Sequence, residues 1–498
     1  MKCISGDKTM NTLQAGARLD RLAVSPFHRR ILWLIGAGMF LDSFDIYLAG
    51  GVLAALGKSG WSSMQSNAAF LSATFLGMLI GAVAAGVLGD AKGRKYAYQF
   101  NLLLFGVASL AGAAAPDMTW LIVCRFFMGV GLGAEIVIGY GSIGEFIPPA
   151  VRGRWSSYLS LITNSALLVS AVLGYLLIPS VGWRAMFVIV GCGALCVWVL
   201  RRKMPESPRW LESKGRYAEA DAVLAGIEAE SQGGPRGGLQ DRAPDPTQGR
   251  LQGNLQGTLQ DGSWHSLFMP PFRSRLLVAV IVQIAINIMI YGFIVWVPTF
   301  LVKQGLGVAS SLGYTALMSL GGPVGAFIGV LIADRVGRRK GLMAIAVIAS
   351  AVGWFYAHST SVEMATVLGF VLFTLTYLMV ALGVATYIPE LFPTANRMRA
   401  NGAASAAGRV AGIFAPQAAV LLFAAGGIQQ VLAVIIAALL LMAIVLALFG
   451  TETNQRSLEA ISQLSPELAR AGTGPNAPNT TAATAHSTTA HPPTTHPH

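Results

Sequence analysis

Charge is scarce in this chain. Of its 498 residues only 58 are Asp, Glu, Lys or Arg, which is 12%, about half the share of an ordinary soluble protein. So few charges would leave the surface of a water-soluble domain uncovered, which argues against a soluble enzyme. Cysteine is rare too. Cys3, Cys124, Cys192 and Cys196 form no CxxC pair and read as small buried apolar residues rather than a disulfide or metal set. HExxH, a Walker loop and a GxSxG elbow are all missing, so an ATP-driven pump or a membrane hydrolase has no support. Gly139 to Gly144 formally match GxGxxG, but they end an apolar helix instead of following a strand, which removes the nucleotide reading. No cleavable signal is evident: the first apolar run starts at Ile31, is long enough to span, and has no small-residue cleavage pattern after it.

What the chain has in abundance is apolar sequence, 54% of residues, with a mean hydropathy of +0.59. Since about 20 apolar residues cross a bilayer as a helix, the composition can supply twelve crossings. Apolar runs fall at 31–55, 68–88, 97–115, 120–141, 156–178 and 184–200, and again at 276–300, 311–333, 342–358, 362–387, 402–424 and 428–449. An even number of spans puts both termini and the long middle loop on one side. Of the 35 Lys and Arg, Arg125 and Arg409 lie within spans, and Lys58, Arg184 and Lys303 lie on the opposite side, which leaves 30 beside the termini. This is the positive-inside asymmetry, and it predicts a multi-pass plasma (inner) membrane protein with both termini cytoplasmic. The net charge of +12 thus reports orientation along a lipid bilayer and not a nucleic-acid groove.

The expected organisation is a cytoplasmic segment 1–30, a six-helix bundle 31–201, a cytoplasmic loop 202–274, a second bundle 275–450 and a cytoplasmic tail 451–498. The loop opens with an amphipathic stretch, Arg209 to Glu230, and then becomes Gly/Gln/Pro-rich; the tail after Gly472 is Thr/Ala/Pro/His-rich. Neither composition can bury a core, so both are expected to be disordered. His486, His491, His496 and His498 read as solvated tail histidines rather than a metal site.

The two halves repeat each other. Asp90-x-x-Gly93-Arg94-Lys95 follows the second span and Asp334-x-x-Gly337-Arg338-Arg339 follows the eighth. Glu145-x-x-Pro148-x-x-x-Arg152-x-Arg154 begins 55 residues after Asp90, and Glu390-x-x-Pro393-x-x-x-Arg397-x-Arg399 begins 56 after Asp334. Two composite motifs at matching offsets imply a duplicated six-helix unit, a hallmark of secondary transporters. Acids at helix ends beside arginines from neighbouring turns can pair bidentately. Such a cluster would join the two bundles on the cytoplasmic face and part when that face opens; otherwise the arginines serve topology alone.

The two Asp-x-x-Gly-Arg loops resemble the signature of the major facilitator superfamily, over roughly residues 28–460. The resemblance implies an all-α membrane fold of twelve transmembrane helices in two pseudo-symmetric six-helix bundles. Pro205-Glu206-Ser207-Pro208-Arg209-Trp210-Leu211, Glu145 to Arg154, and Glu452-Thr453 with Leu458-Glu459 resemble the sugar-porter type. Asp42-Ser43-Phe44-Asp45, Arg125-x-x-x-Gly129-x-Gly131-x-Gly133-Ala134-Glu135 and Tyr387 to Pro393 resemble instead the branch of aromatic-acid/proton symporters, niacin-type and organic-ion transporters. The chain departs from the family at Ala91, where a base is usual, and at Val330, where a Gly is usual. It also lacks the Gly-Pro-x-x-Gly-Gly element of many drug/proton antiporters in span five.

Ionisable groups within spans are costly and point to function. Asp42 and Asp45 share a face of span one. Arg125 in span four enters from the same side, close enough for its long side chain to reach Asp45, whose place resembles the proton-coupling aspartate of proton/sugar symporters. The arrangement is either a proton-coupling site, carried by Asp42 or Asp45, or a static ion pair between spans one and four. Glu135, deeper in span four, is a second relay candidate or a buried partner. Gln283, Asn287 and Tyr291 form a polar stripe on span seven, as cavity lining or as interhelical glue. Trp296 is a candidate to close the outer end. Arg409 in span eleven, at the repeat position of Asn164 in span five, either anchors an anion in the cavity or snorkels to the interface.

The expected function is proton-coupled symport of a small organic acid, aromatic or nicotinate-like, by alternating access in a monomer, with the proton as coupling ion and no cofactor. A transporter of a sugar or another neutral or cationic metabolite is the alternative. A solute sensor of the same fold, binding without transport, is the alternative from another class.

Overall fold

A computed structural model describes residues 15–22, 24–232, 267–270, 272–332, 337–392 and 394–453, except for certain side chains inside these helices, those of Asp90, Glu145, Arg152, Arg154 and Arg397 among them. Asp334, the low-complexity part of the loop and the His-rich tail lie outside the described residues, as does Cys3.

Among the described residues the chain is helical throughout, with no strand. This follows from the solvent: an apolar segment in lipid must satisfy its own backbone hydrogen bonds, and a helix does so within one segment. A short α1 (Ala15–Asp20) precedes the six helices of the first half: α2 (Pro26–Lys58), α3 (Met64–Lys92), α4 (Arg94–Ala113), α5 (Met118–Phe146), α6 (Pro149–Leu177) and α7 (Arg184–Arg201). The amphipathic stretch after them folds as α8 (Pro208–Ser213) and α9 (Tyr217–Gln232). Ser63 caps α3 by accepting from the Ser66 amide (3.1 Å), and Pro26 occupies the first turn of α2, where its missing N–H is harmless.

The second half has the same six crossings with more breaks. Span seven is α10 (Phe272–Gly292), a 3-10 turn at Ile294–Trp296 and α11 (Val297–Lys303). Span eight is divided into α12 (Val308–Ser319) and α13 (Gly321–Ile332), and span nine is α14 (Arg338–Ala357). Span ten is α15 (Val362–Met379) continued by a π-helix, Val380–Tyr387. Spans eleven and twelve run together as α16 (Thr394–Phe449), folded back at Gly426 and Gly427, whose dihedrals are not helical. Among the described residues, ten helices are apolar and long enough to cross a membrane. Dividing α16 at its glycine bend and adding the more polar α4 makes the twelve of the expected fold.

Packing within the first half depends on the glycines of span four. A Cβ at Gly129 would run into the Thr74 carbonyl, and one at Gly133 into the Met78 carbonyl. Their absence lets α5 lie backbone to backbone on α3, the small-residue packing that lipid favours. It also brings Arg125 within reach of α3 and α2. Gly133→Val is therefore expected to force the two helices apart at a cost of about 1–3 kcal/mol, read as a lower melting temperature in detergent. An unchanged melting temperature would mean the contact tolerates a side chain.

Candidate functional site: buried ion pairs and the seam between the halves

Arg125 and Asp45 meet in the interior of the first half, 1% and 0% exposed. The Arg125 Nη1 donates to Asp45 Oδ2, Nη2 to the Asp45 carbonyl (3.0 Å) and Nε to Thr74 Oγ1 (2.8 Å). The guanidinium lies over the Phe70 ring, 4.8 Å from its centroid. One side chain of α5 thus holds α2 and α3 together. Asp45 Oδ1 has no hydrogen-bond partner in the protein, so the carboxylate keeps a free lone pair.

Asp42 does not join this pair. It lies within electrostatic reach of Glu135 and Arg201, and its Oδ2 is unpartnered. Arg201, at the end of α7, folds back into the bundle. It donates to Glu135 Oε1 (2.5 Å) and to the Leu34 and Ile35 carbonyls of α2 (2.9 and 3.1 Å), over the Tyr98 ring at 4.6 Å. Sequence reasoning counted Arg201 among the topogenic bases of the cytoplasmic edge, and the structure corrects this. In Arg201-Arg202-Lys203 the first base is 1% exposed, while Arg202 stacks outward on Trp198, 3.8 Å from its centroid. A signal existed: Glu135 inside a span needed a cation, and the last base of α7 was near enough in depth to supply it.

The seam between the halves carries Arg409 and the tyrosines Tyr47, Tyr291 and Tyr377. Arg409 is half-buried and donates to the Met78 carbonyl across the seam (2.8 Å). It neither snorkels away nor stands alone, since Tyr291 is within electrostatic reach. Tyr291 packs edge-on against Phe75 of the other half, centroids 4.2 Å apart, and Tyr47 meets Tyr377 in the same way at 6.3 Å. Tyr47 and Tyr377 escaped the sequence reading, although a tyrosine within a span needs a place for its hydroxyl. Asn287 donates to the Gln283 carbonyl (2.7 Å), and both side chains lie against Gly408 of α16. Asn164 is half-buried on α6. Trp296, cast above as a closure, is 1% exposed within the second half, stacked on Phe300, which stacks on Phe423.

The neighbours of Trp296 meet the first half. Gly50 of α2 lies against the Val295 carbonyl and Pro298, at the break after α10, and Gly51 against Leu312. Ser72 Oγ donates to the Ile413 carbonyl (2.6 Å) and Gln65 to Gln417 (3.0 Å). These contacts join the halves on the face away from α1, α8 and α9. A cavity of about 30 Å³ remains there, lined by Gly51, Ser170, Gly174, Val295, Pro298 and Leu312. It has room for a water molecule or two and not for a metabolite.

On the other face the repeated loops share a capping device. Gly93, with φ of 102°, turns the chain from α3 into α4, and the Glu206 carboxylate accepts from the Arg94 and Lys95 amides (2.9 and 3.2 Å). In the second half Glu452 accepts from the Arg338 amide (2.7 Å), and its carboxylate fills the space beside Gly337. Each glutamate therefore sits on the positive end of a helix. Arg338 also pairs with Glu390 (3.3 Å), which accepts from Thr453 Oγ1 (2.6 Å). This pair lies inside the second half. Arg399 is half-buried near the start of α16.

The N-terminal segment is fastened to the same face. Arg18 of α1 donates to both oxygens of Glu228 (2.9 and 2.8 Å) and to Asp221 (2.6 Å) on α9. The Glu228 and then the Asp221 bond hold its guanidinium still more firmly protonated than usual. The Ala15 amide donates to Glu212 of α8 (3.0 Å).

Glu452→Gln is expected to remove a charge from the N-terminus of α14 and to lower stability by about 1 kcal/mol; Glu206→Gln should do the same for α4. Thermal unfolding in detergent reads both, and melting curves superposing on the parent would show that the charge is not used.

The sugar (and other) transporter family model matches residues 32–464. The inner membrane metabolite transport protein YdjE of Escherichia coli K12 is 40% identical over 452 residues, 91% of this chain and 99% of the relative. The niacin transporter NiaP of Acinetobacter baylyi is 32% identical over 89% of this chain and 99% of its own length. Among solved structures, the xylose transporter XylE of E. coli in a partially occluded inward-open conformation superposes with a TM-score of 0.68 at 17% identity, over 87% of this chain and all of that one. Twelve spans in two repeated halves, ion pairs buried in lipid-facing helices and a polar seam between the halves agree with these likenesses: the chain belongs to the sugar (and other) transporter family of the major facilitator superfamily, and is a multi-pass membrane transporter of metabolites or sugars, not an enzyme.

Proposed function

We propose that this transporter is a proton-coupled symporter of a small organic acid, aromatic or nicotinate-like, working by alternating access with both termini in the cytoplasm. The observation that carries the proposal is the pairing of two different cation sites. Arg125 is consumed by Asp45 inside one half, whereas Arg409 is held at the seam by a single carbonyl contact beside aromatic side chains. A guanidinium at the seam can bind a carboxylate bidentately, and the neighbouring rings of Tyr291 and Phe75 suit a flat aromatic acid. Asp45, with one oxygen unused, can accept a proton when its hold on Arg125 loosens, which would link protonation to the packing of α2, α3 and α5. The contacts at Gly50, Gly51, Ser72 and Gln65 then act as the closed extracellular gate. The name of the niacin-transporting relative agrees with this solute class.

Gln283 and Asn287 favour a second reading, since neutral hydrogen-bonding side chains also suit a hydroxylated neutral solute such as a sugar. A thermal-shift screen of aromatic acids, nicotinate-like acids, sugars and sugar acids distinguishes the two.

In proteoliposomes the protein should exchange labelled solute by counterflow; binding without exchange would make it a sensor. Asp45→Asn should abolish uptake driven by a proton gradient while sparing counterflow, and gradient-driven uptake persisting in that variant would remove Asp45 from coupling. Arg409→Gln should weaken binding of the acid by roughly tenfold or more, the loss of one charge-assisted bond. An unchanged affinity would reduce Arg409 to a tie between the halves.

A further inference from the structure

Among the described residues, the interior of the first half holds five Asp, Glu, Lys or Arg side chains that are at most 2% exposed: Asp42, Asp45, Glu135, Arg125 and Arg201. Three are acids and two are bases, so full ionisation leaves one negative charge uncompensated. An unpaired charge in so dry a place is strongly disfavoured, and the cheap remedy is a bound proton. Geometry says where it goes. Arg125 uses all three of its nitrogens on Asp45 and Thr74. Arg201 faces both remaining acids. It gives Nη2 to Glu135 Oε1 (2.5 Å) and to the Ile35 carbonyl, and Nε to the Leu34 carbonyl. Its Nη1, Glu135 Oε2 and Asp42 Oδ2 have no partner in the protein. Gly38, one turn before Asp42, makes the meeting possible, because a Cβ there would strike the Arg201 guanidinium and the Glu135 carboxylate.

We propose that Asp42 and Glu135 share one proton across Arg201, a second protonation site separate from Asp45 and Arg125, with Arg201 as its positioning residue. The groups around it are Asp45 on the same helix, Arg125 on α5 and Tyr98 on α4. The part of α6 from 155 to 177 carries no charged residue, and the Arg30–Glu230 pair (3.0 Å) sits at the start of α2 and on α9. The proton comes from water and occupies a carboxylate lone pair that no side chain uses. This site belongs to the resting protein and does not depend on whether uptake is proton-driven.

Infrared titration of the purified full chain in liposomes, with isotope-labelled carboxyl groups, counts the protonated acids. One protonated carboxyl per molecule is expected near neutral pH. It should vanish in Asp42→Asn and in Glu135→Gln, since either leaves one acid facing one base, and persist in the doubly substituted Asp45→Asn/Arg125→Gln, which removes one charge of each sign. Arg201→Gln should raise the count from one to two, which a purely structural arginine would not do, and Arg201→Lys should restore one. A signal unchanged in both Asp42→Asn and Glu135→Gln would overturn the proposal, as would one that follows Asp45 alone. Uptake in the same liposomes separates the two readings. Uptake indifferent to the proton gradient while the band follows Asp42 and Glu135 defeats the coupling and leaves the site. Gradient-driven uptake with the band elsewhere does the reverse.

Discussion

Burying a guanidinium in a helix bundle requires partners for most of its donors, and the first half is arranged around two such side chains. Arg125 ties α5 to α2 and α3, and Arg201 ties α7 to α2 and α5 while covering Tyr98 of α4. Between them they touch five of the six spans of that half. Water would make these bonds nearly neutral in free energy, but in lipid a lost partner leaves an uncompensated charge. These bonds fix the position of α2 against α3, α5 and α7.

At the seam the chain uses shape as much as charge. Gly50 and Gly51 let α2 approach the broken region after α10, where the 3-10 turn leaves the Val295 carbonyl facing the other half. Further along, side chains replace backbone contact: Phe75 against Tyr291, Tyr47 against Tyr377, Arg409 against the Met78 carbonyl. A transporter has to open such a surface repeatedly. Single hydrogen bonds and edge-on rings separate at modest cost, whereas the buried pairs Arg125–Asp45 and Arg201–Glu135 lie within the first half.

On the face carrying α1, α8 and α9 the duplication shows a second layer. Glu206 comes 113 residues after Gly93 and Glu452 comes 115 after Gly337, and each caps the helix that begins the next span of its own half. The equivalence lies between halves, but the bonds lie within them. That keeps each six-helix unit rigid and leaves the contact between units free to change. The Arg338–Glu390–Thr453 chain follows the same rule.

The sequence by itself determined the membrane class, the twelve crossings and the twofold repeat, because the cost of placing polar groups in lipid is written residue by residue and needs no knowledge of neighbours. The partnership of Asp45 with Arg125 was legible for a similar reason: depth along a helix follows from counting, and two opposite charges at one depth in a dry place must meet. Depth does not tell which way a side chain at a helix end turns. Arg201 and Arg202 are adjacent and chemically identical, yet one enters the bundle and the other leaves it, a choice made by Gly38, Glu135 and Tyr98 on three other helices. Likewise the pairing of Tyr47 with Tyr377, and of Arg409 with the Met78 carbonyl, required the two halves to be laid against each other. Such contacts depend on which surfaces face across a gap, and only the tertiary structure decided that.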